Sequence, residues 1–444
     1  MGAWDPLLKI FSSFSCYCTY FLVSITFVNE KELKTVLGLD YLRKKLDQYR
    51  RGALYRNKVY DMKDVDAEVG ITIPPELRRQ YRATSGWCAK AVDSISDRLV
   101  FREFANDTFN INDIFKMNSS DIFFDDAILS ALVNSCSFVY ISQGDEEVPR
   151  LQVIQGSDAT GVLDPITRLL TEGYAVLSRN EYGNPNEELH FLSDRTDLYK
   201  NGDLYQSYPH NAGYPLLVPI IHRSDSNKPF GRSRITPSAL YYQKYAKRTL
   251  ERSDITAEFY SFPQKYVVGL SQDAEPIDTW KATVSSMLRF DKDGDGDSPK
   301  LGQFTVPSMT PFTEQLRTAA AGFAGETGLT VDDLGFVTDN PSSAEAIKAS
   351  HETLRLQAEK AQRDFALGLL NVGYLAACLR DGFAYKRNQF YLTTAKWEPV
   401  FKPDASTISS LGDGAIKVNQ AIPGYFDKEN LRDMTGIEGA NNGN

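Results

Sequence analysis

Cysteine and histidine are scarce in this sequence, and neither is arranged for chemistry. The 444-residue chain carries five cysteines, Cys16, Cys18, Cys88, Cys136 and Cys378. An odd number at irregular spacing is no disulfide framework. The four histidines, His190, His210, His222 and His351, fall in no HExxH pattern, and no CxxC…CxxC pair accompanies them, which argues against a zinc site. A GxxxxGK[ST] phosphate loop and a GxSxG nucleophile elbow are also missing. Gly322, Gly325 and Gly328 recur at three-residue spacing but follow no strand, so they do not read as a nucleotide loop. The chain is therefore read as a non-enzyme without catalytic residue, metal or cofactor. An excess of positive charge is lacking as well. The net charge is −9 and the pI about 5.2. A protein that grips DNA is normally basic, because Lys and Arg displace condensed counterions. This balance argues against tight DNA binding, but not against a surface past which DNA slides.

Long hydrophobic runs are absent with one exception. From Ile10 to Val28 no residue is charged, and the run approaches the length of a membrane span. A secretory leader is disfavoured because no small-residue cleavage site follows. The run is rich in Ser, Cys, Thr and aromatics, and helix-patterned soluble sequence begins abruptly at Asn29. We read residues 1–29 as an apolar extension outside the working fold. A membrane-anchored ring or channel-forming structural protein, held through residues 10–28, is the alternative.

What is present suits a sizeable globular chain of two to three domains: 42% hydrophobic residues, 24% charged, and 23 Tyr with 25 Phe. Residues 30–51 are charged and helical in pattern. A helix is predicted from Pro75 to about Leu99, and another from Asp121 to Val133. Strand-like runs follow at 137–142, 151–155, 173–179 and 188–193, with hairpin punctuation at 181–188 and 199–203. Two prolines demote the run at 214–221 to an edge or extended segment.

Thr236-Pro237 then reads as a helix cap with proline in the first turn. The helix should run to near Tyr260. One stripe is small or aromatic (Ala239, Tyr242, Ala246, Thr249, Ser253, Ala257, Tyr260), and another is Lys244, Arg248 and Arg252 at i, i+4, i+8. A compact insert occupies 263–308. Its turn at 291–297 begins like a calcium loop, with Asp291, Asp293, Asp295 and Gly296, but position twelve is Gly302 rather than Glu; an acidic solvated turn is the preferred reading. Thr310-Pro311 repeats the cap-proline device ahead of a second helix crowded with Ala and Gly. Glycine inside a helix costs about 1 kcal/mol relative to alanine, so Gly322 and Gly325 call for a close neighbour. Ser342 with Glu345 forms a capping box for a long helix whose apolar stripe is Ile347, Leu354, Ala358, Ala361, Phe365, Leu369 and Val372.

This order of parts resembles the phage portal proteins, most of all the branch found in long-tailed phages with a non-contractile tail. Local strings that carry the resemblance are Trp87 with VDSISDRL at 92–99, GRSRI at 231–235, LGFVTDNPSSAEAI at 334–347, and WEP at 397–399 followed by a helix around Lys417. NPSSAE at 340–345 is the most specific of them. The resemblance covers about residues 30–437; the apolar extension is not expected in the family.

The resemblance implies an α+β portal fold: α/β wing (30–235), first stem helix (236–262), small α/β clip (263–308), second stem helix (309–326), tunnel loop (327–342), long kinked wing helix and strand (343–400), and a small crown-like end (401–444). It further implies a ring, commonly of twelve subunits, at one capsid vertex of the virion, assembled in the host cytoplasm, through which double-stranded DNA is packaged and ejected. Expected partners are further copies of the chain, the DNA, the terminase large subunit, a head-completion adaptor, and the major capsid and scaffold proteins. The tunnel-loop residues that would face the channel are Leu329, Val331, Asp332, Asp333, Phe336 and Asp339. An acidic loop repels phosphate and lowers friction, where a basic one would trap the duplex. Small residues on both stem helices would let neighbouring stems approach closely. Lys244, Arg248 and Arg252 would touch phosphate or pair with stem acids such as Glu314 between subunits.

Overall fold

The computed structural model of the chain describes residues 37–64, 81–144, 147–261, 265–268, 300–305, 308–336 and 344–437. Helix α1 (Leu39–Tyr60) opens the described chain. It starts nine residues later than the charged pattern suggested and runs nine residues past its expected end. Gly38, its N-cap, offers no side chain. The two amides just ahead of the helix are held by Glu172, whose carboxylate accepts from Leu37 N–H at 2.8 Å and Gly38 N–H at 3.0 Å and lies at the helix's positive end. The same carboxylate lies 2.7 Å from His190 Nε2. Two residues along the strands, Glu188 takes both arms of Arg43 and the hydroxyl of Tyr174. Burial pushes the Glu188 carboxyl up, but the Arg43 guanidinium and the Tyr174 hydroxyl outweigh it and hold the group below the usual carboxylate range. Over this polar rail Leu42, Leu46, Tyr174 and Val176 form a small apolar cluster.

Helix α2 (Trp87–Ser96) is shorter than the Pro75–Leu99 helix expected. Pro75 lies outside the described residues, and residues 81–86 are not helical. Strand β1 (Phe101–Ala105), α3 (Ile111–Met117) and α4 (Ser120–Asn134) follow. Strands β2 (Cys136–Ser142), β3 (Arg150–Gln155) and β9 (Leu217–Ile221) make an antiparallel sheet in the order β3-β2-β9. Pro219 opposes Phe138 from the outer strand, where a missing N–H costs nothing, so the proline placed β9 at an edge correctly. A meander of β4 (Ala159–Leu163), β5 (Leu170–Arg179), β6 (Pro185–Phe191), β7 (Arg195–Lys200) and β8 (Asp203–Pro209) forms the second sheet. Its β7–β8 turn places Asn201 and Gly202 at φ 53° and 93°, the left-handed pair a tight hairpin needs.

Helices α5 (Pro237–Ser261) and α6 (Thr310–Thr327) pack against each other, and the short strands β10 (Lys265–Val268) and β11 (Lys300–Gln303) pair between them in sequence. The acidic turn at 291–297 lies outside the described residues. Helix α7 (Ala344–Ser350) is separated from the long α8 (Glu352–Arg380) by His351 alone. Backbone bonds from His351 N–H to Ile347 O and from Arg355 N–H to His351 O carry the ladder across the kink. Strand β12 (Thr394–Trp397) returns to pair with β1. Helices α9 (Ala405–Ala421) and α10 (Lys428–Thr435) close the chain, with Asp433 against Arg102 and Lys396.

One core runs through the helices and sheets that precede α5 and the base of the α5–α6 pair. It joins Ile95, Phe115, Phe138 and Leu217 to Ala239, Phe323, Leu354, Phe365 and Leu369. The predicted α8 stripe from Leu354 to Val372 is buried, whereas Ile347, before the kink, is 49% exposed. Cys88 and Cys136 are buried and their thiols pushed up to about 12, leaving them inert. Among the described residues no helix is long and apolar enough to cross a membrane; residues 10–28 lie outside them.

Candidate functional site

Some of the residues singled out from the sequence, Arg234 of the GRSRI segment and Leu329 and Asp333 of the loop, meet at one junction, where the α5–α6 pair, the loop after it and α8 come together. Helix α5 starts as its sequence requires. Thr236 Oγ1 accepts from Ala239 N–H at 3.1 Å, and Pro237 occupies the first turn. The second cap-proline device is displaced by one residue. Thr310 is itself helical, Met309 is the N-cap, and no side chain caps the end.

The two helices run antiparallel. Thr236 Oγ1 at the start of α5 donates to Glu326 near the end of α6, and lower down the ring of Tyr242 lies over Gly322. A Cβ at Gly322 would stand 2.3 Å from that ring, which explains why glycine is tolerated mid-helix. Ala239, Ala246, Ala319, Ala320 and Ala324 are buried within the subunit. Their small side chains serve packing inside one copy, not the approach of a second copy that the sequence suggested. Gly325 is different, because a Cβ there would meet nothing within 4 Å.

A second stripe on α5 went unread in the sequence. Gln243, Lys247 and Glu251 are 0–3% exposed. Gln243 accepts from Cys88 N–H at 2.7 Å, Glu251 accepts from Ala83 N–H at 3.2 Å, and Lys247 donates to Asp64 O at 2.6 Å. These side chains fix the chain ahead of α2, including an amide of its first turn, and thereby tie that segment to α5.

The GRSRI segment is the hub. Gly231 has φ 74°, and a Cβ there would sit 2.1 Å from the backbone oxygen of His222. Arg232 N–H donates to that oxygen at 2.9 Å, and His222 Nδ1 lies 2.7 Å from Arg232 O. Burial pushes the His222 ring down to about 3, so it is neutral and donates to that carbonyl. Arg234 is 3% exposed. Its Nε donates to Ala91 O of α2 at 3.1 Å, one terminal nitrogen to Gln357 of α8 at 2.5 Å, and the other to Thr327 O at the end of α6. Burial pushes the guanidinium down to about 10, still charged at neutral pH. One side chain thus sets the mutual position of three helices.

The loop leaves α6 at Gly328, in the left-handed region at φ 72°. Leu329 is 7% exposed and belongs to the core, so it anchors the loop rather than facing a channel in this conformation. Val331 and Phe336 are half-buried, Asp332 is exposed, and Asp339 lies outside the described residues. Asp333 accepts from Thr330 N–H at 2.8 Å and Thr330 Oγ1 at 2.9 Å, and lies 3.2 Å from His351 Nε2 at the kink. Burial pushes its carboxyl up, but the Thr330 donors and His351 outweigh it and hold it below the usual range. Such a carboxylate stabilises the loop above its unfolded-state pKa and loses that contribution as pH falls through its depressed native value. In the variant His351→Ala the Asp333 carboxyl should therefore titrate closer to its ordinary value. Amides 330–336 should exchange about 2- to 5-fold faster at neutral pH, as suits a partly buried pair worth roughly 0.5–1 kcal/mol. Carboxyl-carbon NMR titration and hydrogen exchange read both; an unmoved Asp333 would show the contact to be idle.

Lys244, Arg248 and Arg252 do not reach this junction. Lys244 lies over the Tyr55 ring and Arg248 over the Tyr245 ring, at 5.7 and 5.9 Å. Among the described residues neither Arg248 nor Arg252 has an ion pair, and Glu314 is exposed. No group of three or more metal-ligating side chains occurs among the described residues.

No family model matches the chain. It is 24% identical over 400 residues to the portal protein of Mycobacterium phage L5, covering 84% of this chain and 80% of that protein. It is 24% identical over 392 residues to the portal protein of Mycobacterium phage D29, covering 82% and 78%. Among solved structures it is similar to a chain in the neck of the native gene transfer agent particle computed with C12 symmetry. There the TM-score is 0.43 at 12% identity, covering 85% of this chain and 98% of that one. A chain in the neck of the empty particle computed with C6 symmetry gives 0.44 at 13% identity, covering 82% and 94%.

Proposed function

We infer that the chain belongs to the phage portal proteins and is the repeating subunit of a ring at the capsid vertex, a channel for packaging and ejecting double-stranded DNA. The likeness to two portal proteins over about four-fifths of both chains supports this reading. The observation in the structure that carries it is the Arg234 junction just ahead of α5, which holds α2, the end of α6 and the long α8 in fixed relation. A wall of repeated helix pairs needs each copy to present the same geometry to the next, because a heterologous contact closes into a ring only if the rotation is constant.

In this reading α5 and α6 wall the channel and the loop after Thr327 points toward its axis. Asp332 is the described carboxylate of that loop that remains exposed. Repeated around the axis, it repels phosphate and leaves the duplex mobile, in keeping with the acidic chain. The end bearing β10 and β11 would dock the terminase large subunit and later the head-completion adaptor, while the wing meets capsid and scaffold. The motor chemistry belongs to the terminase, and this chain hydrolyses nothing. Electron microscopy of the purified full chain should show closed rings with a central hole, and the same preparation should leave ATP intact. Isolated monomers under every assembly condition would overturn the proposal.

A further inference from the structure

We propose that neighbouring copies meet through two unlike faces of the stem: a Tyr-Arg face on α5 and a small, acid-tipped face on α6. The proposal rests on the ring reading and names the surfaces that build it.

On α5, Tyr241, Tyr245, Arg248 and Arg252 recur at i, i+4, i+7 and i+11, one helical face. That face lies opposite the buried Ala239 and Ala246. Tyr241 is 58% exposed, Tyr245 and Arg248 are half-buried, and Arg252 is exposed. On α6, Glu314, Thr318, Ala321 and Gly325 recur at the same four intervals, opposite the buried Ala320 and Phe323, and all four are exposed. Each helix therefore spends one face on its own subunit and leaves the other outward.

The outward faces complement each other in size, charge and height. Aromatic rings on α5 oppose a groove of Thr, Ala and Gly on α6. Inside the subunit the same chemistry is already in use, where Tyr242 covers Gly322. Gly325 has no such cover, although a helix-interior glycine is unfavourable without one. The Thr236–Glu326 and Tyr242–Gly322 contacts fix the register of the pair. They put Tyr241 and Tyr245 level with Ala321 and Thr318, and Arg248 and Arg252 level with the first turns of α6, where Glu314 stands. Rotation about a ring axis leaves height unchanged, so the α5 face of one copy meets the α6 face of the next with rings over small residues and arginines beside Glu314. The two faces differ, so the contact is heterologous and propagates from copy to copy.

The test uses two full-length variants, Arg248→Glu/Arg252→Glu and Glu314→Arg. The altered positions are exposed or half-buried, and circular dichroism with a thermal melt checks that each variant stays folded. Alone, each places like charges across every interface and should assemble at least tenfold less than the unaltered chain by mass photometry. Mixed in equal amounts, the two restore opposite charges at both kinds of interface. The mixture should recover rings, and native mass spectrometry should find the two chains in equal number. A third variant, Ala321→Trp, fills the groove and should stay monomeric. Full assembly by each charge variant alone, or no recovery on mixing, overturns the assignment of faces while leaving the ring reading intact. Absence of rings from the unaltered chain overturns both.

Discussion

Replacing Gly231 with alanine is expected to destabilise the subunit by about 3–5 kcal/mol, the upper part of the range for single substitutions. Two costs combine. An alanine held at φ 74° pays roughly 1–2 kcal/mol for the left-handed region. The added Cβ would also stand 2.1 Å from the His222 backbone oxygen and 2.9 Å from a methyl of Ile221. A backbone oxygen in a buried strand end cannot swing aside as a surface side chain can, so the segment itself must shift. The shift stretches the bond from Arg232 N–H to His222 O and the contact of His222 Nδ1 with Arg232 O. The His222 ring is buried, neutral and stacked on Phe365 of α8 at 6.0 Å, so a broken partner there goes unreplaced by water. An unsatisfied buried donor adds about 1–3 kcal/mol. Urea unfolding of the unassembled subunit measures the sum. A loss below about 1 kcal/mol would show that the segment relaxes freely and that the junction is not rigid.

That glycine was legible in the sequence only as part of a family-like string; its φ was not. Other features were legible because a single local rule decides them. Thr236-Pro237 fixes the start of α5, Pro219 sends β9 to an edge, and Asn201-Gly202 makes a tight turn. Strands β4, β7 and β8 were missed for a physical reason. β8 is exposed at every position, so no apolar alternation marks it, and β7 alternates poorly. The β1–β12 pair joins segments nearly three hundred residues apart, and no local pattern announces it.

Helix α5 shows the limit of periodicity most clearly. Lys244, Arg248 and Arg252 recur at i, i+4, i+8, and so do Gln243, Lys247 and Glu251 one position earlier. Period alone says that each set shares a face, not which face is inward. The first set was read as touching phosphate or a neighbouring copy and the second went unread, yet the second is buried because backbone groups of Asp64, Ala83 and Cys88 take its side chains as partners. Those same partners account for the late start of α2. The loop misled similarly. The family resemblance implied that Leu329 and Asp333 face the channel, but Leu329 is core and Asp333 is held by His351. Chain order marked the loop as special, and only tertiary contacts separate its anchors, Leu329 and Asp333, from the exposed Asp332.

Arg234→Ala is the second substitution expected to have a large effect, about 3–5 kcal/mol, and its companions decide why. Alanine leaves Ala91 O, Thr327 O and the Gln357 amide without their donor and opens a cavity where the guanidinium lay. Arg234→Met should cost less, about 1–3 kcal/mol. It restores most of the volume and abolishes the cost of burying a charge, which no carboxylate offsets by direct pairing. Arg234→Lys keeps the charge but concentrates its donors on one atom. A planar fork reaches three helices at once and an ammonium does not, so lysine should be no better than methionine. Each variant should also weaken ring formation more than its stability loss explains, because α2, α6 and α8 would no longer hold one mutual angle from copy to copy. Urea unfolding and mass photometry on the same samples separate the two effects. If lysine rescues both, charge rather than fork geometry holds the junction. If the methionine variant matches wild type in both, the buried arginine adds no geometric constraint, and the constancy of the subunit must come from the apolar packing around it.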